Sequence, residues 1–383
     1  MRKRAIMAVL GAAFLAAVLG QQGETQAAGR SVGYMDTAAN RTFVPIRYLS
    51  EQLKYQVKWD KAARRIDVRA NEDTLSLTVG SKKARVNNAV KQMDAAPFVE
   101  GGTTYVPIRF VGEAMKLQMK WDKAASALVF DTDKGTQKLP VVSMDRLNQA
   151  AAPLEQKEKT FTVGKKRMSA SIVEVDLLHP KIRIDVAVAG GKIGSVDSLK
   201  LMADASKAAV AMNGTFFDAY TKSSYKPPYG HIVKKGELVH PSPADRRTVL
   251  VFTKDNEVEF VKGKDFPQRF EAGGVEGALQ AGPRLVTNGQ VSVDPVPEGF
   301  KDPKILTNSG ARSAVGVTAD HKLILLTTPG ATIPELAQMM KQAGAQHAMN
   351  LDGGASSGLY YKGKYITSPG REISNALLVH YGN

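Results

Sequence analysis

His347-Ala348-Met349-Asn350-Leu351-Asp352-Gly353-Gly354-Ala355-Ser356-Ser357 is the stretch on which the reading of the fold turns. An apolar run ends in an acid, and the acid opens a glycine-rich turn. Upstream, Thr332-Ile333-Pro334-Glu335 predicts a helix start, with Thr332 as N-cap and Glu335 as its capping-box partner. Ile333, Leu336, Ala337 and Met340 recur at helical spacing, and Gly344 ends the run. The local order is helix, short buried strand, glycine turn. It sets Asp352 at a strand end, with Gly353 and Gly354 leaving space and free N–H groups that suit an anion. Glycine turns after strands are common, so a plain turn with a surface aspartate is the competing reading.

The same order recurs earlier. Ser198–Lys207 reads as a helix, Ala209–Met212 as a short strand, and Asn213-Gly214-Thr215-Phe216-Phe217-Asp218 as the loop beyond it. Both strands close on Ala-Met-Asn, which suggests that both loops emerge at similar strand ends, where sites often form. Met168–Val175 and Lys181–Val188 are further strands. Thr248–Phe252 with Glu257–Val261, and Ser313–Val317 with Lys322–Thr327, read as hairpins. Ala281–Val286 is a turn before a strand, and Ala376–Tyr381 is a final strand.

Bulk properties bound the reading. The 383 residues, 43% hydrophobic and 23% charged, describe a globular protein of two or three domains. Arg2, Lys3 and Arg4 precede an apolar run, Ala5 to Leu19, too short for a comfortable membrane span. Thr25 and Ala27 are spaced for signal peptidase, so residues 1–28 are expected to be a cleaved signal peptide that leaves no stable membrane span. The absence of cysteine excludes a cysteine-linked lipid anchor and disulfides, which fits an exported bacterial envelope protein. The chain carries +15; losing Arg2, Lys3, Arg4 and Glu24 with the leader leaves +13. Such charge favours polyanions, here an anionic cell-wall polymer. Nucleic acid is not expected, because export removes the chain from it and no basic-aromatic motif appears.

Residues 29–131 contain a repeat. Phe43-Val44-Pro45-Ile46-Arg47 through Lys58-Trp59-Asp60-Lys61-Ala62-Ala63 matches Tyr105-Val106-Pro107-Ile108-Arg109 through Lys120-Trp121-Asp122-Lys123-Ala124-Ala125 at a constant offset of 62. Each unit reads as strand, short amphipathic helix, a strand carrying the tryptophan and a further strand, Arg65–Arg69 or Ala127–Asp131. Thr74–Val79 is another strand. The first copy lacks most of the leading strands of the second. Trp59 and Trp121 are expected to pack in a core. The unit resembles the copper amine oxidase N-terminal-like "stalk" domain. It contains no histidine or cysteine, so no copper is expected. Residues 132–160 read as a linker, with Asp145–Ala152 as a short helix.

From 161 to 383 six motifs in order resemble the phosphodiester glycosidase family. They are Asn213–Asp218, Gly282-Pro283-x-Leu285-Val286, Arg312 with Ala314-Val315-Gly316, Leu336-Ala337, Asn350-Leu351-Asp352-Gly353-Gly354-x-Ser356-Ser357, and Arg371-x-x-Ser374-Asn375-Ala376-Leu377. Ala355 and Thr215 stand where the family often has glycine, which bears on sugar preference. The resemblance implies hydrolysis of a sugar-1-phosphodiester, N-acetylglucosamine-1-phosphodiester-like, at the glycosidic C1–O bond. A carboxylate would stabilise the oxocarbenium-like centre or activate water: Asp352 first, Asp218 second. Arg312 and Arg371 would bind phosphate oxygens. Asn213, Gly214, Gly353, Gly354, Ser356, Ser374 and Asn375 would contact sugar or phosphate. Phe216 and Phe217 are expected in the core.

The six histidines show no metal-ligand spacing, so neither a metal nor a cofactor is expected, with a structural calcium left open. The sequence therefore predicts an α+β protein: a small repeated α/β stalk module, then a larger mixed-sheet α+β catalytic domain. It would be secreted, associated with the cell envelope and active on a sugar-phosphate polymer or glycoconjugate. A non-catalytic wall- or exopolysaccharide-binding protein, and a phosphodiesterase cutting P–O, remain the alternatives.

Overall fold

The computed structural model describes residues 31–382 apart from 101, 124, 134, 146–151 and 180. The predicted leader and most of the predicted helix at Asp145–Ala152 lie outside these residues.

The two repeats are joined through their V-P-I-R strands. Arg41–Pro45 runs antiparallel to Thr103–Pro107, with Val44 opposite Val106, so the copies face each other about a local two-fold. Each proline sits at the strand's last residue with φ near −66° or −68°, a value that serves both an extended strand end and a helix start. Helices Ile46–Leu53 and Ile108–Ala114 follow directly. Val44, Leu49, Val106 and Val111 meet Leu75, Leu77 and Leu139 in one core. Among the described residues the first copy has one leading strand, where the second is preceded by Lys83–Val86, Ala89–Gln92 and Phe98–Glu100. Gly33–Asp36 pairs with Arg41–Pro45 just as Phe98–Glu100 pairs with Thr103–Pro107.

Two expectations for this module are corrected. Trp59 and Trp121 are not core residues: they are 43% and 46% exposed. Both lie on edge strands, Gln56–Asp60 and Met119–Asp122, with a strand on one side only. Nor is 132–160 a linker. Gly135–Ser143 is a strand of the first module's sheet, paired with Ala127–Thr132 and, in parallel, with Gly33–Asp36. Leu154–Val163 opens the second domain by pairing along its full length with Lys166–Asp176.

The second domain is built from three sheets around a shared core. One of seven strands includes Lys166–Asp176, Gly310–Thr318, Lys322–Ala331 and Ala345–Asn350. One of five includes Ile182–Val188, Val210–Asn213 and Asn375–Tyr381; another of five includes Val249–Phe252, Val258–Val261 and Gly277–Gln280. Their inner faces meet through Val173, Ile184, Met212, Leu250, Val315, Met349 and Leu377. Helix Ile333–Gln342 covers the outside of the seven-stranded sheet. Its Thr332–Glu335 capping box is formed, and Ile333, Leu336, Ala337 and Met340 are at most 1% exposed. Gly344 closes it at φ 92°. Helix Leu199–Ala205, capped by Ser198, packs on the outside of the five-stranded sheet that holds Asn213. The result is mixed α+β, with a stalk-like module preceding a larger domain.

Candidate active site

Two strand ends meet at the seam between the seven-stranded sheet and the Asn213 sheet. Ala345–Asn350 delivers Asp352; Val210–Asn213 delivers the loop that begins at Gly214. The N-terminal ends of Gly310–Thr318 and Asn375–Tyr381 reach the same place, because Ala314 pairs with Asn350 and Ala376 pairs with Asn213.

A hydrogen-bonded knot fixes this seam. Asn213 Nδ2 donates to the Asp352 carbonyl at 2.7 Å, while its Oδ1 accepts from the Ser313 hydroxyl at 2.7 Å and from Gly358 N–H at 3.0 Å. Asp352 N–H donates to Gly214 O. Asn375 Oδ1 accepts from Thr215 N–H, and its Nδ2 donates to the Thr215 and Ser374 hydroxyls. Asn213 and Asn375 are 1% exposed and Ser374 3%. A Cβ on Gly214 would overlap Asn375 Oδ1, so only glycine fits there. Asn213, Gly214, Ser374 and Asn375, expected from the sequence to contact ligand, brace one another and the Asp352 backbone in this structure, as buried polar groups must be paired.

The Asp352 carboxyl sits on this knot. The residue keeps a partly exposed surface, but its carboxyl is enclosed, and burial pushes it up to about 6. The Ser356 hydroxyl, Gly353 N–H at 2.9 Å and the charge of Arg371 oppose that shift without cancelling it. Gly353 leaves room beside the carboxyl: a Cβ there would lie 3.0 Å from Ala311 O. Gly354 has φ 62°, which lets the chain turn at once.

The arginines divide. Arg371 Nη2 donates to the Tyr220 hydroxyl at 3.0 Å, and its guanidinium lies 4.9 Å from that ring's centroid. Lys304 Nζ lies 5.5 Å from the same ring. The Tyr220 phenol is held below its ordinary range by the Arg371 hydrogen bond and by the charges of Arg371 and Lys304, and it feels the charge of Asp352. Arg371, Lys304, Tyr220 and Asp352 therefore form one electrostatic cluster. Arg312 is 4% exposed and is spent on the backbone. Its Nε donates to Ala331 O, and its Nη2 donates to Lys304 O and Asn308 O, each at 2.7–2.9 Å. Arg312 thus seats Lys304 beside the cluster, with Nη1 turned toward Gly353. Asp218 is occupied too: its Oδ1 accepts Tyr220 N–H and Thr221 N–H, bracing the loop that presents Tyr220.

Tyr220 and Lys304 were not singled out in the sequence. Only the Asn-Gly-x-Phe-Phe-Asp loop, two residues short of Tyr220, signalled the first. The expected core placement holds for Phe217, 8% exposed. Phe216 is only partly buried. It lies 6.0 Å from Phe300, with the Arg247 guanidinium over its ring. A cavity of about 370 Å³ opens there, lined by Tyr229, Arg247, Phe300 and Asp302. Another cleft, of about 1150 Å³, does not contain Asp352; Asp122, Lys138, Arg246, Phe260, Lys264 and Arg284 are among the residues around it. Among the described residues no three His, Asp or Glu side chains gather as metal ligands, and no helix is long and apolar enough to cross a membrane.

Comparison with known proteins places these observations. Residues 206–380 match the family model of phosphodiester glycosidase, and 26–129 match that of the copper amine oxidase N-terminal domain. The zebrafish N-acetylglucosamine-1-phosphodiester α-N-acetylglucosaminidase catalytic domain shares the fold. The TM-score is 0.51 at 22% identity, over 61% of this chain and 85% of that one. A hypothetical protein from Synechocystis aligns at TM-score 0.49 and 14% identity, over 91% of this chain and 96% of its own. A curated protease inhibitor from Brevibacillus choshinensis is 29% identical over 84 residues, 22% of this chain, so the chain spans about a quarter (26%) of that protein. Motif order, fold and family match agree: residues 206–380 of this chain are similar to the phosphodiester glycosidase family and follow a segment similar to the copper amine oxidase N-terminal domain.

Proposed function

We propose that the protein is an exported hydrolase that cleaves the C1–O bond of a sugar-1-phosphodiester, of the N-acetylglucosamine-1-phosphodiester type, in wall or exopolysaccharide material. The observation that carries this reading is the enclosed Asp352 carboxyl, with Arg371 and Lys304 gathered around Tyr220 beside it. A phosphodiester brings a negative charge that two fixed cations can hold. As the C1–O bond breaks, the bonding pair leaves with the phosphate oxygen, giving a phosphomonoester. Asp352 stabilises the positive charge growing at C1 and takes the proton of the water that attacks there, giving the free sugar. The leaving phosphate is a weak base and needs no proton donor. That fits a site in which Asp218, the second carboxylate, is turned into its own loop.

The test is hydrolysis of a chromogenic α-N-acetylglucosamine-1-phosphodiester by the mature protein in oxygen-18 water. Free sugar carrying the label is expected. Asp352→Asn should lose turnover by roughly a thousandfold or more, and Arg371→Ala should raise KM while the fold is kept. Label in the phosphate would instead establish a phosphodiesterase cutting P–O, and a fully active, folded Asp352→Asn would remove the assignment of that residue.

A further inference from the structure

The first module carries a face that the catalytic reading does not use. Its five-stranded sheet, Gln56–Asp60, Arg65–Ala70, Asp73–Thr78, Lys83–Val86 and Ala89–Gln92, turns one side to the core. Side chains alternate along each strand, so the register fixes what the other side presents. One cross-strand row is Lys58, Asp67, Ser76 and Arg85; the next is Asp60, Arg65 and Thr78, with Lys83 two residues before Arg85 on the same face of its strand; a third is Gln56, Arg69 and Thr74. None of these residues is buried, whereas Val68, Leu75, Leu77 and Ala84, between them in sequence, are at most 4% exposed.

The face is strongly cationic. Its two carboxylates, Asp60 and Asp67, are both taken by Arg65, at 3.4 and 3.1 Å. Lys58, Arg69, Lys83 and Arg85 have no side-chain hydrogen bond or ion pair among the described residues. They flank a central strand that carries the hydroxyls of Thr74, Ser76 and Thr78; the Ser76 hydroxyl donates to Asp67 at 2.6 Å and that of Thr74 to Asn87 at 3.4 Å, which leaves their oxygens as acceptors. A hollow of about 360 Å³ lies on this face, with Gln56, Lys58, Asp67, Arg69, Thr74 and Ser76 in its lining. The second copy does not repeat the arrangement. There the row is Lys120, Val129 and Lys138, and Lys138 pairs with Asp122 at 3.3 Å, both in the cleft against the second domain. The fold does not require a basic outer face; only the first copy builds one.

We propose that this face binds a linear phosphodiester polymer of the poly(polyol phosphate) kind, with phosphates on the four cations and polyol hydroxyls on the central strand. Charge selects the ligand. The four cations sit on three strands, those of Lys58 and Arg69 about 4.8 Å apart and that of Lys83 and Arg85 about 10 Å beyond across the central strand, so they follow a chain of spaced phosphates better than one compact anion. The Arg69 and Arg85 guanidinia favour tetrahedral phosphate oxygens. The binding stands whether or not the second domain hydrolyses anything.

The test uses the full mature protein and a fluorescein-labelled poly(glycerol phosphate) oligomer, read by anisotropy at physiological ionic strength. The variant Lys58→Glu/Arg69→Glu/Lys83→Glu/Arg85→Glu is compared with a control of equal charge change, Lys165→Glu/Lys235→Glu/Lys262→Glu/Lys264→Glu. Melting curves confirm that both fold. The face variant should lose roughly tenfold or more in affinity and shed about three units of the log–log salt slope, while the control keeps wild-type binding. Equal loss in both variants, no binding by the wild type, or tighter binding of single-stranded DNA of the same charge would each overturn the proposal.

Discussion

At Asp352 four influences act on one carboxyl, and burial wins. The hydroxyl of Ser356, the N–H of Gly353 and the charge of Arg371 all favour the anion, yet the group is pushed up to about 6. Its folded value lies above its unfolded one, so the folded state binds the proton more tightly. Above pH 6 the buried anion weakens the fold by up to about 3 kcal/mol, before any relief from partial solvent access. That cost shrinks as pH falls through 6 and is gone below about 4. Asp352→Asn, which keeps the acceptor for Gly353 N–H, is therefore expected to melt higher than wild type at pH 7, with the gap closing by pH 4. The same titration should shape turnover: kcat/KM rises through an apparent value near 6 and shows no falling limb from a general acid. Calorimetry of the two proteins across that range, beside a pH–rate profile, checks both. A wild type more stable than the variant at pH 7 would mean that the carboxylate is stabilised where it sits.

The brace around this carboxyl belongs to the scale of elements. Asn213 closes one strand and ties it to Ser313, Asp352 and Gly358, which lie 100, 139 and 145 residues away. The sequence made the local pieces legible: the capped helix, the short strand, the glycine turn and the recurrence of Ala-Met-Asn. It could not show how these asparagines pair with one another, because that depends on where the strand ends of two facing sheets meet. The same limit hid the strand Gly135–Ser143, whose polar first half and Pro140 read as a linker until pairing with Ala127–Thr132 gave the segment a ladder. It also hid the exposure of Trp59 and Trp121, which follows from edge position and not from residue type. If Asn213 is a brace, Asn213→Ala leaves the Ser313 hydroxyl, Gly358 N–H and Asp352 carbonyl without their partner, at a cost of about 2–4 kcal/mol. Chemical denaturation should show that loss. Turnover of the protein that remains folded should fall mainly in kcat, because Asp352 is displaced and not removed. A change confined to KM would return Asn213 to the role of a ligand contact.

For the whole molecule, the cores are separate. Among the described residues, the cluster around Val44, Leu77 and Val106 takes its buried members from residues 44–141, with Met35 packed against it, and every other cluster begins at Leu154 or later. Between them lies a cleft-bearing contact that includes Ser126 O against His321 Nε2 at 3.3 Å and the walls of the cleft of about 1150 Å³. Contacts of that kind hold domains together without merging their unfolding. Two calorimetric transitions are therefore expected. Leu77 is fully buried in the first core, so Leu77→Ala should cost that module about 2–5 kcal/mol and lower one transition only. Hydrolysis of a small diester should persist at temperatures between the two transitions if the first module melts first. A single transition, shifted as a whole by Leu77→Ala, would mean that the second repeat's hairpin couples the modules. The stalk would then be part of the catalytic domain's stability, and its basic face would be presented at a fixed angle to the site and not on an independent arm.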